Sequence, residues 1–161
     1  MGKNEKEWQE VRLGDIVKYY NNKISRSLVT NYNYISTENL LPNIGGKINA
    51  SSIPNTDKLN SYLKNHILIS NIRPYFKKIW FARNDGGCSS DILVFESTNN
   101  NTYPKYLYYL MSQNIFFDYV MTGANGTKMP RGDKKHILNF TFLLPPLEEQ
   151  KKIASILSSL D

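Results

Sequence analysis

The sequence predicts a mixed α/β fold of the α+β kind, and three observations carry that prediction. The middle of the chain holds short β-branched and aromatic runs broken by turn residues. Pro104 opens a stretch whose apolar residues recur at helical spacing. From Leu147 the pattern becomes that of a second amphipathic helix, read as the start of a long C-terminal coiled-coil helix.

Taken in order, residues 1–10 are a ragged polar start from which Trp8 is expected to dock on the domain. Val11, Leu13, Ile16 and Val17 allow a strand leading into a short turn or helix. Residues 21–30 are polar and read as a basic loop carrying Lys23, Ser25 and Arg26. Residues 32–36 look strand-like, 42–46 form a turn, and 47–50 suit a short strand. Residues 67–72 and 78–82 are strands separated by Arg73 and Pro74. Residues 91–95 are so continuously apolar that burial on both faces is expected.

Six basic residues (Lys58, Lys64, Arg73, Lys77, Lys78 and Arg83) lie between positions 58 and 83 with no acid among them. On paired strands they would make a positive face, or equally a row of solvated cations. Residues 97–102 form a polar loop. A helix is predicted from Pro104 to about Met121 on the stripe Leu107, Leu110, Met111, Ile115, Phe117 and Val120, with Gly123 at its C-cap. Residues 137–144 read as an apolar strand stopped by Pro145 and Pro146. In the last helix Pro146 suits the first position and Glu148 and Glu149 the positive end of the dipole. Ile153, Ile156 and Leu160 repeat at three- and four-residue steps, and the stripe is still running at Asp161. That points to a truncated chain or a partner helix.

The most telling stretch is 123–136, read as a loop between the long helix and the 137–144 strand. It combines Gly123, Gly126 and Gly132 with Lys128, Arg131, Lys134 and Lys135 against one acid, Asp133. Glycines let a backbone bend and approach a partner closely, and lysine and arginine neutralise phosphates. The net charge of +6 and pI near 9.3 favour an acidic partner, although solubility alone accounts for a basic surface equally well. On the DNA reading, Asn125, Thr127 and Arg131 contact base edges, and Lys128 holds phosphate or approaches the groove closely. Arg73, Lys77, Lys78, Lys134 and Lys135 hold phosphates, and Lys23, Ser25 and Arg26 flank the site.

Other chemistries are poorly supplied. Cys88 is the single cysteine, which excludes an intrachain disulfide and fits a cytoplasmic location. It leads into an apolar strand and reads as a buried thiol rather than a nucleophile. The two histidines, His66 and His136, have no spaced partners, so neither a metal nor a cofactor is expected. No phosphate-loop or dinucleotide fingerprint is present. Asp133, Glu149 and Lys151 can be forced into a nuclease-type pattern, but Glu149 sits where a helix start favours acids anyway. No secretory signal or apolar run of the ~20 residues needed to cross a bilayer occurs. Two rivals remain: an interaction module working through the last helix, and that small nuclease.

Several segments together resemble the target recognition domain of the DNA specificity subunit of type I restriction-modification systems. They are Trp8-x-x-Val-Arg-Leu-Gly-Asp-Ile16, Tyr34-Ile-Ser-Thr-Glu-Asn-Leu40 and Ile67-Leu-Ile-Ser-Asn-Ile-Arg-Pro-Tyr75. Lys78-Ile79, Cys88-Ser-Ser-Asp-Ile-Leu-Val94, Gly123-x-x-Gly-Thr127 before Ile137, and Pro145-Pro-Leu-Glu-Glu-Gln-Lys-Lys-Ile-Ala154 continue the series. The resemblance implies a twisted, largely antiparallel sheet with a few helices, and a role without catalysis of its own. Residues 1–146 would be the recognition domain and 147–161 the start of a spacer helix. The domain would read one half of a bipartite site in double-stranded DNA. It would direct adenine methylation by methyltransferase subunits and restriction by a motor-nuclease subunit. Such subunits carry two recognition domains and this chain one, so a fragment, or a half-subunit that dimerises, is expected.

Overall fold

The computed structural model describes residues 7–161, so the expectations for residues 1–6 lie outside the described residues. The fold is the mixed α/β one expected, largely antiparallel with a few helices, and among the described residues its strands divide into three sheets instead of one. The central sheet has the order β2 (Val17–Tyr19), β9 (Ile92–Ser97), β6 (Ile67–Ser70) and β7 (Ile79–Phe81), with every pairing antiparallel. The outer sheet runs β3 (Lys23–Ser25), β5 (Lys58–Tyr62), β8 (Gly86–Cys88) and β4 (Tyr34–Ile35), antiparallel except for β4 against β8. A ribbon pairs β1 (Gln9–Arg12) with β10 (Thr141–Leu144), joining the two ends of the chain.

The central sheet lies between two hydrophobic layers. Alternate residues of its strands point to opposite faces, as a pleated strand requires. Ile67, Ile69, Leu93 and Phe95 pack with the helices, while Leu68, Ile92 and Val94 pack with Ile35, Tyr62 and Cys88 of the outer sheet and with Leu40. The apolar run at 91–95 is therefore buried on both faces, as its composition predicts. Cys88 is buried in that second layer, where desolvation pushes its thiol up to about 12. A thiol so placed stays protonated and unreactive.

The helical layer departs from the sequence expectation in two places. The single helix predicted from Pro104 is two helices, α2 (Pro104–Met111) and α3 (Asn114–Thr122). Ser112 ends the first by donating its hydroxyl to the Tyr108 carbonyl at 2.7 Å, and Gln113 is extended. The break re-aims the second helix so that Phe116, Phe117 and Val120 reach the core and Ile115 is left outside. Burying one such phenyl ring stabilises the fold by about 2 kcal/mol.

The second departure is the 137–144 strand. Its first residues instead finish α4 (Lys134–Leu138), and β10 begins only at Thr141. Asp133 is the cause: its carboxylate accepts from the backbone N–H of Lys135 and His136 and caps the helix. Asp133→Ala is expected to lower stability by about 1 kcal/mol, read from the urea midpoint.

The smaller expectations divide. The strand and short helix near the start are β1 and α1 (Leu13–Ile16). Residues 47–50 form only an isolated bridge from Lys47 to Leu40. The polar segment 21–30 contains β3 and a 3₁₀ turn, Arg26–Leu28, so it is not simply a loop. The last helix, α5 (Leu147–Ser159), buries Gln150 and Ala154 against the body. Its apolar repeat is split, with Ile153 against the core and Ile156 and Leu160 exposed.

Candidate nucleic-acid interface

The backbone enters the basic segment past Gly123, which has no room for a side chain. A Cβ there would lie 2.4 Å from the His136 ring, which stacks on Tyr119. The chain then makes a closed turn. Asn125 and Arg131 exchange backbone hydrogen bonds of 2.9 and 2.8 Å, and Gly126 takes a φ of +98°, the left-handed region that glycine adopts freely. Asn125, Thr127, Lys128, Met129 and Arg131 are exposed on this turn.

The turn is mounted on the segment after β6. The Asn71 side chain clamps the Gly132 peptide from both sides, accepting from its N–H at 3.0 Å and donating to its carbonyl at 3.1 Å. Arg73 donates its backbone N–H to Pro130 O at 2.8 Å and its Nε to Lys128 O at 3.2 Å. Arg131 donates to Asp91 Oδ1 at 2.7 Å. The guanidinium has five donor hydrogens in a fixed fork, so this contact orients it and leaves donors available.

A third loop joins this base. Asn43 N–H donates to Phe76 O at 2.8 Å and Ile44 N–H to Lys77 O at 2.9 Å. The 42–46, 73–77 and 125–131 segments thus form one hydrogen-bonded ridge. Asn43, Ile44, Arg73 and Lys77 all have positive φ, between 51° and 60°. Each costs on the order of 1–3 kcal/mol and persists only where surrounding contacts over-determine it. The ridge is therefore held in one conformation.

The structure brings only part of the predicted set together. Asn125, Thr127, Lys128, Arg131, Arg73 and Lys77 share the ridge. Lys77 reaches Asn114 at the start of α3, and Lys78 donates to Thr37 O at 2.7 Å. Lys134 and Lys135 are in the first turn of α4 and not in a loop, with Lys134 Nζ 5.5 Å from the Tyr19 ring centre.

Lys23, Ser25 and Arg26 stand apart, on the far edge of the outer sheet. Lys23 and Ser25 belong to β3 and Arg26 to the 3₁₀ turn after it, and their side-chain hydrogen bonds go to Asn60, Ser27, Pro54 and Val29, none of them on the ridge. Arg26 there braces the chain, donating to Pro54 O at 3.1 Å and Val29 O at 3.0 Å, while Lys23 donates to Asn60 Oδ1 at 2.6 Å. The six cations of 58–83 do not share one strand pair. Lys58 is on the outer sheet, and only Arg73, Lys77 and Lys78 cluster.

Sequence reasoning missed the apolar part of the ridge: Ile44, Tyr75, Phe76 and Met129 are 40–50% exposed. The signal was present as Arg73-Pro-Tyr-Phe-Lys-Lys78, an aromatic pair bracketed by cations. The three residues of the nuclease pattern each have another role. Asp133 caps α4, Glu149 accepts from Trp8 Nε1 at 2.9 Å, and Lys151 lies 3.9 Å from Glu148. Among the described residues no group of three His, Cys, Asp or Glu side chains could hold a metal, and no helix is long and apolar enough to cross a membrane.

Comparison with known proteins matches residues 5–161 to a family model described as type I restriction modification DNA specificity domain. The specificity subunit of type I restriction enzyme MjaVIII from Methanocaldococcus jannaschii is 33% identical over 160 residues, covering 96% of this chain and 36% of that protein. The specificity subunit of the Escherichia coli enzyme EcoDI is 30% identical over 98 residues, covering 61% of this chain and 21% of that protein. The chain thus spans about a third or less of the curated relatives it matches. Among solved structures, the HsdS subunit from Thermoanaerobacter tengcongensis superposes with a TM-score of 0.74 at 22% identity, covering 96% of this chain and 42% of that one. The type I S subunit from M. genitalium gives 0.66 at 15% identity, covering 98% and 40%. These two likenesses establish a shared fold.

Proposed function

The chain belongs to the type I restriction modification DNA specificity domain family, and on that premise we propose that it binds double-stranded DNA sequence-specifically, reading one half of a bipartite target. The family match along residues 5–161 carries this reading, and the basic ridge supports it. Asn125, Thr127, Lys128 and Arg131 approach the groove. Arg73, Lys77, Lys78, Lys134 and Lys135 hold phosphates, and Lys23, Ser25 and Arg26 serve a separate flanking contact.

The chain does no chemistry itself under this proposal. It directs methyltransferase subunits, and with them a motor-nuclease subunit, to the DNA. Residues 1–146 recognise DNA, and 147–161 begin the spacer towards a second recognition domain in the same or a partner chain. Ile156 on α5 and Leu160 at its C-cap are exposed and favour that helix as the surface for a partner.

Selection from random duplex DNA at two salt concentrations tests the reading. A short enriched motif is expected, and binding without any motif would reduce the role to charge. Lys134→Ala should weaken enriched and random duplexes alike and lower the slope of log affinity against log salt by about 1.

A further inference from the structure

We propose that Tyr75 and Phe76 form an aromatic wedge that enters the DNA groove beside the basic ridge and partly unstacks one base step. This rests on the DNA reading above and adds to it a bending or unstacking function for residues outside the predicted contact set. The two rings are 4.8 Å apart and tilted at 55°, and both are exposed although large aromatics ordinarily bury. They occupy a 3₁₀ turn, Pro74–Phe76, with buried Pro74 as its anchor.

Two features make the turn suited to insertion. It is rigid: Arg73 and Lys77 at its ends are left-handed, and backbone bonds tie it to Asn43, Ile44 and Pro130. A preordered tip loses little freedom on binding. Its surroundings are also cationic, with Arg73, Lys77 and Lys78 on the same segment and Lys128 on the adjoining turn. The nearby Asp91 is engaged by Arg131. Lys78 lies near the Glu38 carboxylate, while Arg73, Lys77 and Lys128 make no ion pair among the described residues. Exposed apolar side chains beside these cations match a polyanion with stacked apolar faces, and Phe, Ile and Met are side chains that DNA-bending proteins insert between base steps.

The test uses the duplex enriched by selection, with 2-aminopurine placed at one position at a time. Binding should raise fluorescence severalfold at a single step. The double variant Tyr75→Ala with Phe76→Ala should abolish that rise and lower affinity for the selected duplex about tenfold while leaving the salt slope unchanged. Phe76→Leu should retain most of both effects and leave the thermal midpoint close to the parent's, because it keeps most of the apolar side chain. A selected duplex that binds without a fluorescence rise anywhere would overturn the wedge, as would a double variant that binds like the parent. In the latter case the rings belong to a protein contact. If the parent enriches no motif, the DNA reading fails first and the wedge with it.

Discussion

Gln150→Leu is expected to lower the stability of the chain by about 2 kcal/mol, because it removes three hydrogen bonds to the backbone and leaves the buried Pro145 carbonyl without that partner. Gln150 is fully buried. Its Oε1 accepts from Tyr103 N–H at 2.8 Å, and its Nε2 donates to Asn101 O at 2.9 Å and Pro145 O at 2.8 Å. Leucine matches the volume closely, so the change removes hydrogen bonds without opening a cavity. Each orphaned buried group costs about 1–3 kcal/mol, more than the net worth of the bond itself. Urea unfolding reads the effect as a lower midpoint at constant slope. Glu149→Ala, which removes only an exposed bond to Trp8, should stay within about 1 kcal/mol. A Gln150→Leu midpoint equal to that of the parent would show that the amide carries no weight in the joint.

This joint matters beyond stability. It fastens the first turn of α5 to the start of α2, and Tyr109 OH continues the contact to Ser158 Oγ at 3.0 Å. The helix therefore leaves the body in a fixed direction. Under the proposed function, that direction would set where a spacer helix carries the second half of the recognition machinery.

Gln150 also marks the limit of what could be read from the sequence. Its neighbours in Glu-Glu-Gln-Lys look like an ordinary solvated helix start, and nothing in helical periodicity separates a buried glutamine from an exposed one. The apolar strands were legible because period and composition report burial directly, as at Ile67–Ser70 and Ile92–Ser97. The strands β3, β5 and β8 were not. Lys23–Ser25 is short and polar, and Gly86–Cys88 is mostly glycine, so their pairing is decided by tertiary contacts.

The capping of α4 was legible in principle, since Asp133 precedes it at the right position, but a basic loop claimed the same residues. The candidate interface was half legible for a related reason. Charge is visible along a chain, as in Lys128 and Arg131, whereas co-location of 42–46, 73–77 and 125–131 depends on backbone bonds between distant segments.

Arg131→Ala is expected to weaken binding to the selected duplex about thirtyfold, or ~2 kcal/mol, and to leave random duplex nearly unaffected. Arg131 combines two properties that a base reader needs. Its backbone closes the 125–131 turn and bridges to Ile72, so its Cα is fixed. Its guanidinium is held by Asp91 at 2.7 Å while the side chain stays half exposed, so donors remain free in a set orientation. A lysine has no fork, and Arg131→Lys should recover little of the loss. Asp91→Ala should give an intermediate loss, since it frees the guanidinium without removing it.

The pattern across variants discriminates between roles. A phosphate contact would lose affinity on every duplex and flatten the salt dependence, as expected for Lys134→Ala. A purely structural Arg131 would lower the unfolding midpoint and be mimicked fully by Asp91→Ala. Only a base reader gives loss confined to the selected sequence, a salt slope close to the parent's, and a relaxed preference at one position when selection is repeated with Arg131→Ala.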